Sequence, residues 1–174
     1  EVGVHLQGGE GLEGEVSIKG SRRSAKNRKA VSQILVEDFN STQAEADVAG
    51  VVFDARSEIW AAQTNRTKKD YYDRVEFGRG ETNVEGARGA LEIAKDGQRV
   101  IWALQRPDFS TVVHEFGHLF VTDLREAARH NHLASKDFAR LEKWVGVKDG
   151  KWSQDHHEKA AKGFERYLRD GVAP

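Results

Sequence analysis

The chain has 174 residues and no cysteine, so it can form one domain with a substantial core, and disulfides, thiolate metal sites and cysteine nucleophiles are excluded. Its 27 Lys and Arg residues nearly balance 28 Asp and Glu residues, which favours no particular charged partner. Mean hydropathy is -0.67, and the longest apolar run, residues 100–104, is far shorter than the roughly 18 residues that cross a bilayer. We therefore expect a soluble protein without a membrane partner.

Glycine is frequent in residues 1–20, which predicts a flexible leader or linker, with a short strand at residues 15–18, ahead of one domain over residues 21–174. The sequence begins at Glu1 and contains no Met, which we interpret as a piece processed or excised from a longer protein. Residues 19–29 are basic and lead into an apolar helix face. We expect them to be a solvated helix surface, with nucleic-acid phosphate binding as the weaker alternative.

Residues 42–64 show apolar positions at helical spacing. The predicted buried face of this helix comprises Ala44, Val48, Val51, Val52, Ala55, Ile59 and Ala62. The residues that follow, 65–89, mix charges, glycines and aromatics, and predict a loop with some helical turn.

Two apolar runs, residues 90–94 and 99–104, flank an Asp-Gly pair, which is a strong hairpin signal. Further helices are predicted over residues 111–129, 135–145 and 153–170. These elements define an α+β fold that is mainly helical, with a small antiparallel hairpin or sheet preceding the helix at 111–129. We expect the second strand or its partner to offer an edge to an extended peptide.

His114-Glu115-Phe116-Gly117-His118 places His-Glu-x-x-His on a predicted helix. Histidines four residues apart lie on one helix face, so both can reach one zinc ion. Glu115 projects about 100° away, where it can accept a proton from a zinc-bound water without binding the metal. Gly117 costs about 1 kcal/mol in a helix relative to Ala, which predicts that another backbone approaches there.

A catalytic zinc usually takes three protein ligands, so a third must come from elsewhere. The last predicted helix carries Glu158 and Glu165 on its apolar face, where an unpaired charge is expensive. A metal would explain one of them, and a helix cap or an arginine pair is the alternative. His156 or His157 could replace Glu158 as the third ligand.

The remaining candidates have weaker signals. His130 and His132 follow the motif helix, where a cationic imidazole favours the helix dipole, and we expect them to be solvated. An oxyanion donor would be a Tyr or a His, and the sequence leaves four candidates open: Tyr72, His156, His157 and Tyr167.

The motif at residues 114–118, followed by Glu158-x-x-Ala161-x-x-Phe164, resembles the gluzincin metallopeptidases. In that family the third ligand is a glutamate on a downstream helix, and Ala and Phe on this helix pack beneath the site. The resemblance implies that Glu158 is the third ligand and that Glu165 supports the site.

A wider match, over roughly residues 44–174, is similar to the metallopeptidase-like domain of large polyvalent proteins from bacteriophages and mobile elements. It rests on residues 44–47, 110–118 and 157–174. This resemblance implies a zincin-like fold, a bound metal, and a cytoplasmic location in a bacterial host or after delivery by a phage.

Our leading hypothesis is a zinc metallopeptidase acting on a peptide or protein. His114, His118 and Glu158 would hold Zn²⁺, and Glu115 would be the general base. The alternative is a metal-stabilised, non-catalytic module that binds protein or DNA, whose metal would be closed off by a fourth protein ligand. A third interpretation, amide hydrolysis on a small molecule, shares the same ligands.

Overall fold

The computed structural model describes residues 3–7 and 16–171. Within them the architecture is mixed α+β, as the sequence predicts. In chain order the elements are β1 Gly3–Gln7, β2 Ile18–Ser24, α1 Arg28–Asp38, α2 Gln43–Thr64, α3 Lys68–Asp73, β3 Val75–Thr82, β4 Gly89–Ile93, β5 Arg99–Ala103, α4 Phe109–Ala128, α5 His132–Val145 and α6 Gln154–Asp170. None of the helices in this part of the chain has the length and apolar character that crossing a membrane requires.

The strands form one sheet in the order β1-β4-β5-β3-β2, in which only β3 and β5 are parallel neighbours. Strands β4 and β5 pair antiparallel across the Asp-Gly turn, with Ile93 opposite Arg99. Strand β1 lies on the other side of β4, with His5 opposite Leu91. Both β4 and β5 are therefore interior strands, and the expectation that one of them offers a free edge is wrong.

The sheet extends into the segment that the sequence assigns to a leader, because residues 3–7 form β1 and β2 begins at Ile18. The rest of that segment, residues 1–2 and 8–15, lies outside the described residues. Half of the basic stretch is also strand rather than helix surface. Strand β2 is an edge strand whose side chains are mostly exposed, so it lacks the apolar alternation by which strands are recognised.

Residues 65–89, where we predict a loop with some helical turn, contain the short helix α3 and the interior strand β3, which is not predicted. Two glycines conceal the strand in the sequence. A Cβ atom on Gly78 would lie 2.4 Å from Cε3 of Trp102, and one on Gly80 would lie 3.1 Å from Cζ3 of the same ring. The indole of Trp102 thus covers the strand where side chains would otherwise stand.

Helix α2 forms where it is predicted, but the buried face is a different one. Val48, Val51 and Ile59 are 56%, 49% and 42% exposed, whereas Phe53 and Trp60 are 1% exposed. Aromatic side chains bury the largest areas, and they pack here against other rings of the core, so they set the rotation of the helix.

Helix α4 is held to the rest of the fold by a buried polar cluster one turn beyond the His-Glu-x-x-His motif. The Tyr71 hydroxyl donates a 2.5 Å hydrogen bond to Oδ2 of Asp123, and Nη2 of Arg99 lies 3.7 Å from Oδ1 of the same carboxylate. Asp123 is 1% exposed. Burial, opposed by the Tyr71 bond and nearby arginines, raises the pKa of Asp123 to about 6.

Asp123→Asn should therefore reduce the pH dependence of stability. Since the folded-state pKa of Asp123 exceeds its unfolded value of about 3.9, its contribution is complete below pH 4 and is lost as the pH rises through 6. We expect urea unfolding free energies to show the variant gaining stability relative to the parent between pH 4 and pH 7. A constant difference over that range would contradict the raised pKa.

Candidate metal centre

The motif helix lies against α6 at an unusually short distance. A Cβ atom on Gly117 would lie 2.9 Å from Cα of Ala161, so only glycine fits, and the predicted approach of another backbone is confirmed. Because Glu158 and Glu165 lie on the same helix as Ala161, one turn to either side, this contact brings both carboxylates to the motif.

His114, His118 and Glu158 form a group in which each residue offers one ligand atom. Nε2 of His114 and Nε2 of His118 are 3.1 Å apart, and the two Glu158 oxygens lie 3.3 Å and 3.2 Å from them. Three ligands at about 2.0–2.1 Å from a tetrahedral zinc lie about 3.3 Å from one another. The separations observed here are those of a set of ligands that can hold a metal ion.

Glu165 fixes the orientation of the first of these ligands. Its Oε1 lies 2.5 Å from Nδ1 of His114. A carboxylate only accepts hydrogen bonds, so Nδ1 of His114 carries a proton and donates the hydrogen bond to Glu165. The other ring nitrogen, Nε2, is then directed at the centre. The gluzincin resemblance implies a supporting role for Glu165, and this contact is the geometry that such a role requires.

The charges of the group suit a cation. Burial opposes a charge on His114, but its bonds to Glu158 and Glu165 outweigh burial and raise its pKa to about 10. Burial also opposes the Glu158 carboxylate, yet His114 and His118 hold its pKa well below the usual range. Burial lowers the pKa of His118. A metal ion bound here would replace the extra proton of His114.

Glu115 is fully buried beside the group, and neither of its oxygens has a hydrogen-bond partner in the described part of the chain. Burial raises its pKa to about 8, against the opposing effect of the neighbouring His114 charge. Gly89, at the start of β4, allows this close packing: a Cβ there would lie 2.3 Å from Thr111 and 3.5 Å from Cγ of Glu115. A buried carboxyl without a partner calls for a ligand beside it.

Two further histidines lie at the centre. The ring of His5, from β1, stacks on that of His118 with centroids 4.7 Å apart and planes 14° from parallel. The ring of His157, from α6, also packs against His5, with the two ring centroids 4.6 Å apart. Burial, with the nearby His118, lowers the pKa of His5 to about 3 and that of His157 to about 4. His5 is not predicted as a site residue, because its surroundings in the chain indicate a leader.

The other candidates lie elsewhere. His156 is in the N-terminal cap of α6, where its Nδ1 accepts from the Ser153 amide. The Tyr72 hydroxyl donates to Asp54, and Tyr167 is half exposed. Of the four possible oxyanion donors, His157 is the one that reaches the centre.

Glu158 is the partly exposed member of the group: its side chain is 25% exposed, whereas those of His114 and His118 are 4% and 0% exposed. Glu158 lines a surface cleft of about 330 Å³ together with Trp144, Lys159, Lys162 and Arg166. Comparison of the chain with known protein families, with curated proteins and with solved structures gives no match. The chemistry of the centre is therefore argued from its geometry alone.

Proposed function

We propose that the protein is a zinc-dependent metallopeptidase of zincin-like fold. The observation that carries the proposal is the arrangement of His114, His118 and Glu158 at separations that suit a tetrahedral zinc, beside the buried carboxyl of Glu115. A zinc ion in this position supplies a Lewis acid and lowers the pKa of water to about 7.

The residues of the chain have distinct parts in this reaction. Glu115 accepts a proton from the attacking water and returns it to the leaving amine, for which its raised pKa is suited. Glu165 holds the His114 ring in its tautomer. His157 is the candidate donor to the developing oxyanion, since its ring lies 6.3 Å from that of His118.

A non-catalytic, metal-stabilised module remains the second candidate, because His5 and His157 stand beside the three ligands and could close the coordination sphere. An enzyme keeps one position open for water. The two candidate functions therefore differ in whether an exchangeable water is bound to the metal. Electron-nuclear double resonance spectroscopy of a Co²⁺-substituted sample detects such a water.

Metal content of the purified protein tests the ligand set. We expect one zinc per chain at the centre, lost in His114→Ala and in Glu158→Ala. Glu165→Ala is the matched control: it removes a carboxylate of the same helix that contacts His114 but is no ligand, so zinc stays bound with about 10- to 100-fold lower affinity. Elemental mass spectrometry and competition with a chromogenic chelator measure both quantities. Zinc bound by Glu158→Ala with unchanged affinity would overturn this ligand set.

A further inference from the structure

We infer that His5, His118 and His157 form a second metal-binding site beside the first. The three residues come from β1, α4 and α6, and each offers one ring nitrogen, all within 4.8 Å of one another. This site goes beyond the proposed peptidase centre, with which it shares the ligand His118. His157, the candidate oxyanion donor of that centre, acts here as a metal ligand instead.

The environment of these rings favours a metal ligand over a structural role. Nδ1 of His5 and Nδ1 of His118 are buried, and neither has a hydrogen-bond partner within residues 3–7 and 16–171. The side chain of His118 is completely buried. A buried polar atom without a partner costs about 1–3 kcal/mol, and a bound ion would satisfy these nitrogens. A neutral imidazole has one ring nitrogen with a free lone pair that can bind a metal ion, whereas both nitrogens of a protonated imidazole carry hydrogen.

Donor type narrows the class of ion. Three imidazoles without a carboxylate suit Cu²⁺, Ni²⁺ and Zn²⁺, whereas Mg²⁺ and Ca²⁺ require oxygen ligands. The set differs from His114, His118 and Glu158, which includes an anionic ligand. The two sites therefore differ in ligand field, and a spectroscopic probe can separate them.

The rings must adjust when the ion binds. Ligand nitrogens around one ion lie about 3.3 Å apart, so the group contracts. Because the rings of His5 and His118 are nearly parallel, His5 must also turn about χ2 to direct a nitrogen at the same point. That rotation is soft and leaves the backbone in place.

Occupancy of this site would reinforce the contacts that His5 of β1 already makes with His118 of α4 and His157 of α6. Strand β1 otherwise contacts the sheet only through β4 among the strands. An ion bridging His5 to His118 and His157 adds a link from β1 to α4 and α6.

The test isolates the second site by removing the first. In the full chain, His114→Asn combined with Glu158→Gln deletes two ligands of the first centre and leaves the three histidines. We expect this double variant to bind one Cu²⁺ ion with electron paramagnetic resonance couplings to three nitrogens. Adding His5→Ala or His157→Ala should weaken Cu²⁺ binding by at least about tenfold. His156→Ala, the adjacent histidine of the same helix, is the matched control and should leave Cu²⁺ binding unchanged.

Equal Cu²⁺ affinity with and without His157 in that background would overturn the second site. If circular dichroism shows that the double variant is unfolded, the number of zinc ions bound at saturation is measured instead on the wild-type protein and on His157→Ala. Both ions would then share His118, whose ring must release its remaining N–H proton to solvent and bridge the two ions as an imidazolate. Two ions per chain, reduced to one by His157→Ala, would support the site, and one ion in both proteins would refute it. Zinc that Glu158→Ala retains but that Glu158→Ala combined with His157→Ala loses belongs to the second site. The peptidase proposal fails separately, if Glu115→Gln hydrolyses peptides at the wild-type rate.

Discussion

Replacing Glu115 with Gln should lower peptide hydrolysis by about 10²- to 10⁴-fold and leave the metal bound. Gln has nearly the same shape but cannot accept a proton from water, and Glu115 is not among the three candidate ligands of the metal. The rate is measured on a mixed-sequence library of quenched fluorescent peptides, and the zinc content on the same samples. Glu58→Gln, at an exposed position of α2, is the control and should have no effect on either quantity.

The same substitution should stabilise the metal-free protein at alkaline pH. The pKa of Glu115 is raised by burial to about 8, so its contribution to stability is present below its unfolded value of about 4.3 and is lost as the pH rises through 8. Gln cannot ionise and escapes this loss. Unfolding free energies of the two apoproteins should therefore diverge from pH 5 to pH 9, in favour of Glu115→Gln.

For the hydrolysis prediction, peptide cleavage by Glu115→Gln at the wild-type rate would exclude Glu115 as the general base.

Gly117→Val should destabilise the protein by about 1–3 kcal/mol and weaken metal binding together. A side chain at this position meets the backbone of Ala161, which cannot turn aside as a flexible side chain could. Helix α6 must then move away from α4 and carry Glu158 with it, out of reach of His114 and His118. We expect at least a tenfold rise in the dissociation constant for zinc, since ligand positions matter at about the 0.2 Å level.

The helix propensity of the introduced Val could by itself change stability, but it would leave the affinity for zinc unchanged. Lys136→Val, at an exposed position of α5, introduces the same β-branched residue and should cost only a few tenths of a kcal/mol. Chemical denaturation followed by zinc titration compares the two variants. If Gly117→Val lost stability but kept its zinc affinity, the contact with Ala161 would not position Glu158.

The elements that could be predicted from the sequence are those whose pattern is local. The helices at residues 43–64, 109–128 and 154–170 have caps and apolar spacing within their own segments. Strand β3 could not be predicted, because Gly78 is required by the indole of Trp102 and Gly80 by the backbone of Lys19, and both lie elsewhere in the chain. The buried face of α2 was also predicted wrongly. Apolar spacing identifies possible faces, but it does not show that burying the rings of Phe53 and Trp60 outweighs burying the aliphatic side chains of the opposite face.

The candidate site divides in the same way. His114, Glu115 and His118 follow from one short motif, and Glu158 and Glu165 follow from the cost of two carboxylates on an apolar helix face. His5 could not be found, because its role depends on β1 pairing with β4, a contact between distant parts of the chain. Sequence periodicity carries no information about which distant segment completes a sheet.

The centre is assembled from the two ends of the described chain. His114 and His118 lie in α4, but Glu158 belongs to α6, the last helix, and His5 to β1, the first strand. Closing such long loops is slow relative to forming local helices, so the ligands come together late in folding. During synthesis, a ribosome that has translated the chain as far as α5 carries a product without Glu158 and hence without the complete ligand set. The order of the elements thus delays assembly of the candidate metal centre until α6 has emerged and docked.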